Sequence, residues 1–106
     1  MLAGEGFGVL TEIDVKTTLK KKLDVDFRRY VILGACNPPL AHQALSAEPD
    51  IGVLLPCNVC VSERDGGGVR IAAMNPKAAF TLVHNPGIGA VADEVSSRLQ
   101  RVLDAL

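Results

Sequence analysis

A chain of 106 residues, 48% hydrophobic and 22% charged, has the length of one domain with one real core, which excludes a two-domain enzyme and a disordered or fibrous protein alike. With three Phe, one Tyr and no Trp, that core must be filled by Val, Leu, Ile and Ala. The formal net charge of −1 supplies no broad positive field for a polyphosphate, so no nucleic-acid partner is expected; the apolar runs fall well short of the roughly 20 residues of a membrane helix, so no membrane is expected either.

The opening Met1-Leu2-Ala3-Gly4-Glu5-Gly6 lacks both the basic start and the apolar block of a secretory signal. The three cysteines are an odd number, whereas small exported domains more often carry them in pairs. A cytoplasmic location is the resulting expectation.

Phe7, Val9, Ile13 and Val15 share one parity, with Glu12 and Asp14 on the other, so Phe7 to about Ile13 reads as a half-buried strand. Asp14 can then cap a short helix in which Val15, Leu19 and Leu23 form one apolar stripe. Lys16, Lys20, Lys21 and Lys22 occupy the rest of that helix, either as a patch for an anionic ligand or as a solvated face whose last lysines suit the C-terminal dipole. Phe27 to Ala35 reads as the second strand, apolar on both parities from Tyr30 to Leu33, as in a strand placed centrally. Asn37-Pro38 combines a side chain that caps free N–H groups with a residue that lacks one, opening a helix from about Pro38 to Ala47 with Leu40, Ala41, Ala44 and Leu45 inward.

Ile51 to Ser62 reads as the third strand, joined through the turn Glu63 to Gly68 to a fourth, Val69 to Ala73. Asn75-Pro76 repeats the cap signal for a helix from Lys77 to Val83, and Asn85-Pro86-Gly87 repeats it for the last helix. There Val91, Val95, Leu99, Val102, Leu103 and Leu106 trace one face. The order predicts an α+β fold: an antiparallel or mixed sheet of about four strands with helices packed mainly over one face.

Four polar residues recur at the strand ends: Cys36 with Asn37, and Cys57 with Asn58. If the two strands are neighbours, both thiols reach one cleft near the start of the Pro38 helix, whose N-terminus favours a thiolate at Cys36. His42, one turn into that helix, is placed to act as a base at the rim; His84 has a weaker claim. Equally, free cysteines serve as small buried hydrophobes and Asn-Pro serves as a cap. Cys57 and Cys60 are formally C-x-x-C, but an undistorted strand points them to opposite faces, and no second pair stands at zinc-site spacing.

These readings give a binding module for an unidentified small molecule, with Cys36, Asn37, Cys57 and Asn58 lining its cleft. The alternatives are a thiol-dependent redox or sulfur-transfer protein, with Cys36 as thiolate, Cys57 as its resolving partner and His42 as base, and a soft-metal binder using the two thiolates. No catalytic residue and no cofactor is assigned, and no dedicated metal site is expected.

The blocks Phe7 to Asp14, Tyr30 to Ala41, Leu54-Leu55-Pro56-Cys57-Asn58-Val59 and Asn85-Pro86 together resemble the family called domain of unknown function 302 over nearly the whole chain. The resemblance implies small α+β proteins, often dimeric, with a sheet backed by helices and no established activity. Members usually begin with a further strand and amphipathic helix, for which Met1 to Glu5 stands here. Either the chain starts late or that unit is lost; if it is lost, the sheet keeps an exposed edge, so a homo-oligomer, a dimer, is expected.

Overall fold

The computed structural model describes residues 3–80 and 85–106. Four strands form one sheet in the order β1 (Gly8–Asp14), β2 (Tyr30–Cys36), β3 (Cys57–Glu63), β4 (Val69–Ala73), every neighbouring pair antiparallel. Helix α1 (Val15–Leu23) joins β1 to β2. Helix α2 (Pro38–Ala47) and a 3-10 turn (Pro49–Leu54) join β2 to β3, and α3 (Pro76–Ala79) and α4 (Pro86–Asp104) follow β4. The fold is the α+β class read from the sequence.

Side chains at the helix starts explain where the helices begin. Asp14 accepts from the Thr17 N–H at 3.0 Å, Asn37 from Leu40 at 3.3 Å, Asn75 from Lys77 at 3.0 Å and Asn85 from Gly87 at 2.9 Å. Each of the three asparagines precedes a proline whose missing donor has no intrahelical partner to lose. The core lies between the sheet and α4, which buries Ile88, Val91, Ala92, Val95 and Leu99 in one cluster with Ala35, Cys57 and Val59, and buries Val102 one turn on from Leu99. Leu106, read as part of that face, is 63% exposed just beyond the helix.

Four sequence readings are corrected. The third strand begins at Cys57, because Pro49 starts a 3-10 turn that sends Ile51 into the core at 1% exposure, and Pro56 interrupts the extended run. The second strand begins at Tyr30, since residues 24–29 still cross over from α1, whose end is marked by Asp24 in a left-handed conformation (φ 52°). The apolar stripe of α1 is only partly covered, with Val15 and Leu19 half-buried and Leu23 66% exposed. The fourth correction concerns β1.

In β1 the register advances two residues, Val9 to Thr11, while β2 advances one, Ala35 to Gly34, leaving Leu10 as a bulge. Val9, opposite Ala35, and Ile13, opposite Ile32, therefore lie on opposite faces, and Glu12 takes the same face as Leu33. The expected helix over Lys77 to Val83 exists as α3 up to Ala79; its last residues and His84 lie outside the described ones. Among the described residues no helix is long and apolar enough to cross a membrane.

Gly34 is buried beneath this irregular pairing. A Cβ placed there meets Thr11 Oγ1 and comes within 2.8 Å of Pro56 Cγ. Gly34→Ala should therefore lower stability by about 1–3 kcal/mol, the range for overpacking a tight site. Chemical denaturation should also show a smaller loss in a Thr11→Ala background, where the oxygen has been removed.

Candidate functional site

At the end of the sheet where β2 finishes and β3 begins, α2 and α4 do not close completely over the strands. A cavity of about 320 Å³ remains there. Its walls follow from helical periodicity: Leu40, Ala41, Ala44 and Leu45 lie on one face of α2, while Val91 and Val95 lie one turn apart on α4. Phe7, Leu10 and Phe80 add to the lining, and among the described residues no charged side chain reaches it. The bulge places Leu10 here although it is 66% exposed.

The structure brings together three of the four cleft residues expected from the sequence. Cys36, Asn37 and Cys57 all line the cavity, with Cys57 directly opposite Ala35. Asn58 does not: its strand neighbour Cys57 turns inward, so Asn58 turns out to solvent, contributing its backbone carbonyl to the Met74 N–H at 3.0 Å. His42 is also excluded. Two residues beyond Leu40 it lies about 200° around the helix, exposed and absent from the lining, so the expected base is not at the rim.

Asn37 is 5% exposed, and both ends of its side-chain amide are engaged. Its side-chain oxygen caps α2, and its Nδ2 donates to the Glu5 carbonyl at 3.2 Å. Arg98 Nη1 donates to that carbonyl at 3.1 Å, while the Glu5 carboxylate pairs with Arg101 at 2.7 Å. Gly6 accommodates this packing: φ is +83°, and a Cβ would stand 2.7 Å from Asn37 Nδ2. Asn37 thus holds the wall rather than presenting a free amide. The sequence offers no motif for these partners, which come from positions 5, 98 and 101.

Burial, reinforced by the neighbouring Cys36, pushes the Cys57 thiol up to about 11. Cys60, also on β3, faces the other way, beside Tyr30, whose phenol is held above its usual range chiefly by side-chain hydrogen bonding with Cys60. The C-x-x-C pair is therefore split across the sheet. Among the described residues no three His, Cys, Asp or Glu side chains gather to hold a metal ion.

Residues 1–106 match the family model described as Domain of unknown function DUF302. The chain belongs to this family. A crystal structure of an uncharacterized conserved DUF302 protein from Bacillus stearothermophilus is similar to it, with a TM-score of 0.88 at 33% identity, covering 97% of this chain and 80% of that one. No curated protein matches. Membership of the DUF302 family, read from the Phe7 to Asp14, Tyr30 to Ala41, Leu54 to Val59 and Asn85-Pro86 blocks, is thereby shown, and with it the fold.

The Cys57 environment makes two measurable statements. Between its ordinary value of 9.0 and about 11, the unfolded chain has released this proton and the folded chain has not, so the unfolded state binds fewer protons. Stability should therefore fall as pH rises through that window. Mass-resolved alkylation of native protein at pH 8 should leave Cys57 unmodified, and denaturant should expose it.

Proposed function

We propose that this protein is a binding module for a small, uncharged, apolar molecule held in the cavity between α2, α4 and the sheet. The observation that carries the reading is the composition of the wall. A hollow of about 320 Å³ falls in the size range of small-molecule sites. With no charged group among the described residues of its wall, and with both ends of the Asn37 amide engaged, it offers a ligand dispersion contacts and two soft sulfurs.

The thiol-transfer reading is weaker. Cys36 and Cys57 share the cavity, but Cys57, the resolving partner in that reading, is held near 11 and so stays a thiol at neutral pH, and the expected base at position 42 points elsewhere. A neutral fluorescent probe, N-phenyl-1-naphthylamine, tests the binding reading. It should bind the native chain saturably, and Ala41→Phe, which fills the half-buried side of the cavity, should weaken it at least about tenfold, in the range expected for closing an apolar pocket. Unchanged binding in a folded Ala41→Phe variant would remove the proposal.

Self-association is part of the same reading. All seven residues of the edge strand β1 are exposed, including Val9 at 50%, Leu10 at 66% and Ile13 at 49%. A second copy covering them makes a dimer. Light scattering at micromolar concentration should return twice the chain mass, and a clean monomer counts against it.

A further inference from the structure

The basic residues are unevenly placed. Segments 12–30 and 62–70 meet at the end of the sheet remote from the cavity, where β1 runs into α1, β2 begins and the β3–β4 hairpin turns. They hold eight of the eleven Lys and Arg and six of the twelve Asp and Glu. That end therefore carries about +2 and the remainder about −3, making up the whole-chain −1.

On the sheet face opposite Ala35 and Cys57, the register sets Tyr30, Ser62 and Arg70 in one cross-strand row. With Phe27, Arg28, Arg64 and the two carboxylate residues Glu63 and Asp65 they line an open cleft of about 540 Å³. Two arginines of this end are neutralised locally: Arg28 pairs with Asp65 at 2.9 Å, and Arg29 with Glu63 at 3.3 Å. Arg64 and Arg70 form no ion pair among the described residues.

Ser62 is 8% exposed, and its hydroxyl makes no hydrogen bond among the described residues. No fully buried side-chain polar atom there lacks a partner, so this hydroxyl opens onto the cleft. Phe27 and Tyr30 stand with ring centroids 6.4 Å apart and planes at 52°, Phe27 still 41% exposed. The cleft thus combines two uncompensated guanidinium forks, a hydroxyl donor and two ring surfaces. Guanidinium forks match carboxylate and phosphate oxygens, and tilted aromatic rings receive another ring on face or edge.

We propose that this cleft is a second site, binding a small aromatic anion whose carboxylate or phosphate is held by Arg64, Arg70 and the Ser62 hydroxyl and whose ring lies against Phe27 and Tyr30. It is independent of the apolar cavity, since the two lie at opposite ends and on opposite faces of the sheet. A neutral ligand suits the one and an anionic ligand the other.

Phenyl phosphate titrated into the full chain at low salt, followed by backbone amide shifts, provides the test. Saturable shifts should be confined to residues 27–30 and 62–70, and inorganic phosphate should bind about tenfold more weakly. Arg70→Gln should lose about tenfold in affinity with its melting curve unchanged, and Tyr30→Leu should weaken phenyl phosphate while sparing inorganic phosphate. The absence of saturable shifts, equal affinity for inorganic phosphate, or full affinity in the combined Arg64→Gln and Arg70→Gln variant overturns the proposal.

Discussion

One asparagine side chain decides how the layers of this protein meet. Asn37 leaves β2 and opens α2, using its oxygen on the helix and its nitrogen on the Glu5 carbonyl. A buried amide with either half unmatched costs about 1–3 kcal/mol, so the two bonds fix α2 and the N-terminal segment together. Arg98 and Arg101 add α4 to the same point. The apolar cavity is the space left when three elements converge on a polar anchor instead of collapsing on one another.

That anchor also explains why the site was only half visible beforehand. Cap chemistry is local, so Asn37, Asn75 and Asn85 announced their helices through the proline that follows each one. Strand parity separated Cys57 from Cys60, and the same rule applied one residue along would have turned Asn58 away from Cys57. His42 is a matter of helical angle, 200° from Leu40, which sequence proximity to Cys36 concealed. The ties from Glu5 to Arg98 and Arg101 span more than ninety positions and carry no local signal at all.

The fold was more legible than the site because its errors were confined to element ends and to the one bulge inside β1. Alternating and four-residue periodicities located every strand and helix of the sheet layer. Where a boundary moved, a backbone device was responsible: the 3-10 turn that inserts Ile51 into the core, or the left-handed residue at Asp24. Charge added a further level of organisation. A chain that is nearly neutral as a whole divides into a positive end with aromatic rings and a negative remainder containing the oily hollow, so its net charge says little about what either end attracts.

The single bulge at Leu10 reaches beyond its own strand. By taking up one extra residue it breaks the even spacing of amide and carbonyl groups along the outer rim and turns an acidic side chain toward the inner layer. A neighbour approaching that rim finds side chains to pack against but no straight backbone template to extend. Strand-by-strand extension of the sheet from this rim is therefore disfavoured.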